Sequence, residues 1–561
     1  MVSGVFAACG SSEHADAPSG RAGKAGSSGS AGVGGTAGST SSTGGANSRA
    51  GTASGGGSST ESNGGLSSGA SGGMKTSSAG ESGEAGTPSN AGESGTAANG
   101  GEGGATLACL GNSGVWQPTV ATVSNVQYAY PSLPRAGVDK AGDVFVVWDG
   151  SIGDANYHAV WASRRAAGAS SFDQPVMLTN PNFSAIGDQP TPHSLAVSAD
   201  GSALAVWAGH DGPGVYASHY SLAQGWEPET EEDQAAVAVI ASGDPQVVMD
   251  THGNGLLVWV ENDATPPDYD AETYVRSYAP DTGWSDVTRL STYGAAIPGS
   301  SDTVESIDGP SIAMNASGDA VVVWEVTFAT STAGAFQAIR YDASTRQWGT
   351  PSFIDVCTDC VGVNVNPSFP SVALAENGDA FVVWTQAPEP QTNARTWAAT
   401  SAAGSNDWSD KVALSPEVSF DPNHSNNTFL ARVFADPAGG AIATWMTNDS
   451  LVSSRYRGGV WQGDQTVGPG GENRYDEHIV FDGAGTASCV WMSAGPEQQS
   501  VAVATLGASD STWTLGAPPP ITYGFADPQP VFVHDDCAGP LVVFIDGTGL
   551  GPSGVYAASQ R

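Results

Sequence analysis

The stretch Gly318-Asp-Ala-Val-Val-Val-Trp324 decides how this chain folds, because the same phrase recurs along its length. Further copies run Gly142 to Trp148, Gly201 to Trp207, Gly253 to Trp259, Gly378 to Trp384, Gly439 to Trp445 and Gly485 to Trp491. An eighth, Ala538 to Phe544, is degenerate at both ends. Successive aromatic anchors are 59, 52, 65, 60, 61, 46 and 53 residues apart, so each repeat holds one supersecondary unit and not a whole domain. A glycine beside Asp or Asn marks a hairpin turn that needs positive φ. The unbroken apolar run after it fits a strand buried on both faces.

The flanks extend the pattern. A short strand precedes each turn, as in Pro310-Ser-Ile-Ala-Met-Asn315 and Pro370-Ser-Val-Ala-Leu-Ala375. A third strand follows the anchor, and a fourth carries Trp226, Trp284, Trp348, Trp408, Trp461 or Trp513, with Phe172 in the first unit. Four β-rich strands per repeat predict an all-β fold, a β-propeller of four-stranded blades. The last unit ends without its fourth strand, while an orphan copy, Gly114-Val-Trp116, stands ahead of the first. The N-terminal strand is therefore expected to complete the last blade, giving eight blades, or seven if short units merge. Only Trp161 and Trp397 fall outside the anchor and outer-strand positions, and both suit third strands. No tryptophan breaks the pattern, so none is expected to form a sugar-stacking platform.

Composition splits the chain. Residues 10–106 are almost entirely Gly, Ser, Ala and Thr, too apolar-poor to offset chain entropy, and are expected to be a disordered tether. About 95 such residues span roughly 55 Å root-mean-square. Residues 107–561 are assigned to the propeller domain. The net charge of −38 lies mostly on the repeats, and the chain has four lysines. So acidic a surface repels nucleic acid and anionic membranes, and neither is expected as a partner.

Residues 5–10, Val-Phe-Ala-Ala-Cys-Gly, resemble a bacterial lipobox, which implies lipidation at Cys9 and makes residues 1–9 a partial signal segment. Eight residues with no basic n-region cannot serve as a whole signal peptide, so the natural start is expected upstream. Gly10 in place of Asp resembles the pattern that sends lipoproteins to the outer membrane. The layout as a whole resembles surface lipoproteins of bacteria, with lipid as the expected anchor and the folded part a monomer at the outer membrane or cell surface.

Export implies an oxidising setting for the remaining cysteines. Cys109 and Cys537 would meet if the ring closes as expected, and Cys357 and Cys360 suit a small loop disulfide. Cys489 follows a strand pattern into the core and is expected to be free and inert. No metal ligands stand beside the cysteine pairs at zinc spacing. The acidic cluster Asp263, Asp268, Asp270 and Glu272 lacks an EF-hand's spacing and reads as a solvated loop. No metal or other cofactor is expected.

A propeller places ligands at its channel mouth. The residues thirteen before the anchors and those just after them should approach it. Arg135, Gln246, Glu261, Glu325, Arg432 and His478 are the ligand candidates, with Asp149, Ser194, Ser311, Ser371 and Gln386 beside them. The repeats resemble sialidase-like propellers in blade layout only. Their Asp/Gly turns, as in Ser198-Ala-Asp-Gly-Ser202, depart from the Asp-box spacing, and no third rim arginine appears. No catalytic residue is therefore carried over. The first expectation is a non-enzymatic surface lipoprotein whose propeller binds a protein or glycan. The alternative is a secreted glycan-active hydrolase or lyase using channel-mouth carboxylates, since Glu261, Glu325 and Asp149 could face one another across a funnel.

Overall fold

The computed structural model describes residues 115–560, apart from 125–128, 152–157, 180–191, 209–213, 229, 232–238, 242–244, 264–270, 292, 299–300, 329–333, 358–369, 387–392, 420–430, 448–449, 470–476, 495–498, 522–529, 536–538 and 547–553. These residues form eight antiparallel sheets and no helix. Each sheet is a blade whose strands follow chain order from the axis outward, as with Val304–Met314, Ala320–Phe328, Gly334–Asp342 and Ser352–Cys357 in the fourth. The eight innermost strands neighbour one another in a closed cycle, with Val531–Asp535 of the last blade lying beside Ala129–Val138 of the first. The eighth blade takes its outermost strand from the other end of the chain. Ala121 pairs with Ala557, Thr122 with Tyr556, and Trp116 bridges to Gln560. The Trp116 indole also donates to the Ala517 carbonyl at 2.8 Å.

The apolar run of the repeat has a two-residue period that serves two joints at once. In the fourth blade Val322 and Trp324 pack toward the third, and Val321 and Val323 pack toward the fifth. One such cluster fills every joint, eight around the ring. This is why the second strand up to its anchor is almost wholly apolar on both faces, with buried Thr444 and Ser488 as exceptions. All eight anchors, from Trp148 to Phe544, are at most 2% exposed. The second tryptophans sit farther out. Trp226, Trp284, Trp348 and Trp461 pair with Tyr220, Tyr278, Tyr341 and Tyr456 of the third strands, so these four blade edges close on an aromatic pair. Trp161 and Trp397 stand on third strands directly opposite the anchors Trp148 and Trp384.

The turn between first and second strands explains the rest of the repeat. Seven of its glycines, from Gly142 to Gly485, have φ between 79° and 93°. At Gly318 a Cβ would also lie 3.1 Å from Asp250 Oδ2 of the preceding blade, so both the dihedral and the approach require glycine. Asn315 Oδ1 accepts the amides of Ser317 and Asp319 at 3.2 and 3.0 Å, closing the turn on itself. Asp319 Oδ1 then accepts Ala343 N at 3.0 Å, and Asp379 Oδ1 accepts Ala403 N at 3.0 Å. The aspartate after the glycine thus ties the inner hairpin of a blade to its outer hairpin. In the first blade the same residue, Asp143, also pairs with Arg164.

Candidate functional site

In the first seven blades both hairpin turns open on one face of the ring. The segments leading out of the second strands and into the next blades lie mostly outside the described residues. Asp268, Asp270, Cys9, Cys109, Cys360 and Cys537 are also outside the described residues, as is the Cys357 side chain. The two proposed disulfides and the lipid site are therefore not described. Among the described residues Cys489 is a free, fully buried thiol, whose pKa burial pushes well above its usual value. No group of three or more potential metal ligands occurs among them.

The residues thirteen before the anchors occupy one equivalent register position, each paired across the inner hairpin with the residue just before the anchor. Examples are Ser371 with Val383 and Arg432 with Thr444. Their side chains turn sideways and engage the inner strand of the next blade. Ser194 Oγ accepts Val247 N at 3.2 Å, and Ser371 Oγ accepts Val433 N at 3.1 Å. Gln246 donates to Pro310 O at 2.7 Å and accepts Ile312 N at 3.4 Å. Ser311 Oγ accepts Val372 N at 3.4 Å, and Arg432 Nη1 donates to Glu477 O at 3.0 Å. An innermost strand has one backbone edge with no strand beside it, and these side chains satisfy part of that edge. Five consecutive joints are stitched this way.

Of the six ligand candidates, three are linked electrostatically. Arg432 is buried on the sixth blade, His478 lies on the seventh beside Glu477, and Arg135 is on the first. Burial, with the charges of Arg432 and then Arg135, holds the His478 imidazole well below its usual 6.5, so it is neutral at pH 7. Glu477 is fully buried and its Oε1 accepts the Thr444 hydroxyl at 3.1 Å. The other three lie apart from this group. Gln246 is a stitch between the third and fourth blades. Glu261, 3% exposed, accepts the indole N–H of its own anchor Trp259 at 2.5 Å. Glu325 is half-buried and directly follows its anchor Trp324, one position earlier in its strand than Glu261 in the third blade. Asp149 is fully buried, and Gln386 Oε1 accepts Lys411 Nζ at 3.2 Å.

One concavity lies elsewhere. On the hairpin-turn face, between the fourth and fifth blades, a groove of about 740 Å³ is bordered by Tyr341, Gln347, Trp348, Glu376, Asn377 and Asn406. Arg340 lies at its base and donates to Gly378 O, Ser401 O and Ala402 O at 3.0, 3.1 and 3.2 Å, locking the two blades together. The sequence reading missed this groove, because Trp348 keeps its regular outer-strand place. The available signal was Arg346, which takes φ 55° in a turn where the first, second, third, fifth and sixth blades use glycine.

No known family and no curated protein matches the chain. Several solved structures are similar at low identity. The propeller of Dos1 is 8% identical, with a TM-score of 0.44, and the match covers 78% of this chain and 95% of that one. The polysaccharide lyase Uly1 is 10% identical, with a TM-score of 0.42 over 67% of this chain and 89% of that one. The Penicillium chrysogenum α-L-arabinanase complexed with arabinobiose is 12% identical, with a TM-score of 0.35 over 70% and 99%. Likenesses this weak say nothing of what this chain binds or does.

Proposed function

We propose that this chain is a non-enzymatic binding propeller, lipid-anchored through Cys9 at the outer membrane or cell surface, which engages a protein or glycan partner. The observation that carries the reading is the use made of polar side chains near the axis. Ser194, Gln246, Ser311, Ser371 and Arg432 are fixed in bonds between blades. Glu261 is held by its own anchor, and Glu477 is fully buried. A hydrolase needs a solvated acid and base that meet a substrate, and these groups serve the ring instead. A tether over residues 10–106 would let the ring reach a partner away from the membrane.

The glycan-active alternative draws on one observation. His478 is an imidazole held neutral beside two arginines, a setting that suits proton abstraction next to an anionic substrate. The test is to incubate the full chain with neutral and uronate-rich polysaccharides. Reducing ends and unsaturated products would be followed while a glycan array and a surface-protein pull-down are run in parallel. Specific retention with no product supports the binding reading. Steady product formation that is lost in His478→Gln overturns it. Incorporation of labelled fatty acid that disappears in Cys9→Ser tests the anchor.

A further inference from the structure

The groove between the fourth and fifth blades has the outer Tyr/Trp pair that three other blades share, but its turn carries Arg346 where other blades carry glycine. Two half-buried aromatics, Tyr341 and Trp348, stand on one side with ring centroids 5.0 Å apart and planes inclined by 47°. Exposed Asn377 and Asn406 belong to the opposite blade, and exposed Gln347 adjoins Trp348. A side-chain amide carries both donors and an acceptor, as a sugar hydroxyl does, so the two are complementary in either direction. The carboxylates of Asp342 and Glu376 take part in turn bonds, with Ser344 N at 2.8 Å and Ala316 N at 3.2 Å respectively. Each carboxylate has lone pairs beyond those, suited to accepting hydroxyl protons.

From this lining we infer that the groove is a binding site for a neutral oligosaccharide, with Trp348 and Tyr341 meeting the apolar faces of the sugar rings and Gln347, Asn377 and Asn406 bonding the hydroxyls. This assignment rests on the binding reading above and gives it a location. Its volume lies within the usual span of small-ligand sites, about 300–1,000 Å³. The charge balance selects against acidic chains. Asp319, Asp342 and Glu376 border the groove, while Arg340 turns its guanidinium to three backbone carbonyls. The walls are pre-organised, because Arg340 crosses the joint and Asp319 and Asp379 fix the outer turns of both blades. Arg346, left-handed beside Gln347, is the groove's departure from the glycine turns elsewhere.

The experiment is a calorimetric titration of the full chain with cellohexaose, xylohexaose and mannohexaose, and with hexagalacturonate as the acidic comparison. Two variants accompany it. Asn406→Trp fills the groove from an exposed position, and Gln347→Ala removes one amide. At least one neutral hexaose is expected to bind. Asn406→Trp should weaken it tenfold or more and Gln347→Ala by severalfold, with thermal midpoints unchanged. Binding confined to hexagalacturonate or to a peptide library, or no binding at all, overturns the inference. Neutral-sugar binding that survives both variants also overturns it but leaves the binding propeller standing with its site elsewhere. Cleavage of a hexaose whose binding Asn406→Trp abolishes would do the reverse, keeping the groove and ending the non-enzymatic reading.

Discussion

Ser371 of the fifth blade accepts the backbone N–H of Val433 in the sixth at 3.1 Å, and the serine is only 7% exposed. The bond satisfies an inner-strand amide that has no strand on that side. Removing the hydroxyl strands a buried donor, which costs about 1–3 kcal/mol. Ser371→Ala should therefore lower the denaturant midpoint with an unchanged slope. Ser511→Ala, at an exposed position, should leave it within about 0.5 kcal/mol. Equal effects from the two would remove the stitch from the account of ring stability.

The anchor tryptophans should be far more costly. Trp384→Ala leaves a large void at the joint it shares with Val321, Val323 and Phe336, for a loss of about 3–5 kcal/mol. Trp348→Ala, at a half-buried outer position, should lose less. Reversal of that order in thermal unfolding would contradict the two-joint packing.

Gly318→Ala combines a φ of 90° with a Cβ site 3.1 Å from Asp250 Oδ2. It should destabilise by about 1 kcal/mol or more, whereas Gly463→Ala, with open space and no positive φ, should be near neutral. Matched unfolding curves for the pair would check this.

His478 gives the fold a pH dependence of definite sign. Its folded pKa lies below the unfolded value of about 6.5, so the unfolded chain binds the proton first. The stability tied to this group is complete above about pH 6.5. It declines as pH falls toward the lowered folded value, by at most about 1.4 kcal/mol per unit. His478→Gln should flatten that limb relative to the parent chain in midpoints measured across a pH series. Parallel curves for the two proteins would refute the assignment.

Much of this architecture is written in the local sequence. The run Val321 to Trp324 shows a doubly buried strand, and Gly318-Asp319 shows a left-handed turn whose aspartate has work to do. Both depend on neighbours only a few residues away. The positions thirteen before the anchors were legible as lying near the axis. Which way Ser371 or Gln246 points was not, because it depends on the next blade, some sixty residues on. Arg432 and His478 do lie together, but Glu261 faces its own Trp259 and not the channel. The groove at Trp348 escaped for a related reason. It arises from several turns of two successive blades, and none of them is unusual alone except at Arg346.

The eighth blade receives its outermost strand from the N-terminal side, through Ala121, Thr122 and the Trp116 bridge. Any tension transmitted along the chain from that side enters the ring at this short strand. It is resisted by few backbone bonds loaded at the perimeter, where they can open one after another like a zip. Force applied from that side would therefore meet this strand, flanked by buried Trp116 and Val123, before the inner cycle of strands and its stitches. The ring has a mechanical fuse at its rim, and refastening it requires only that a few residues find the edge they left.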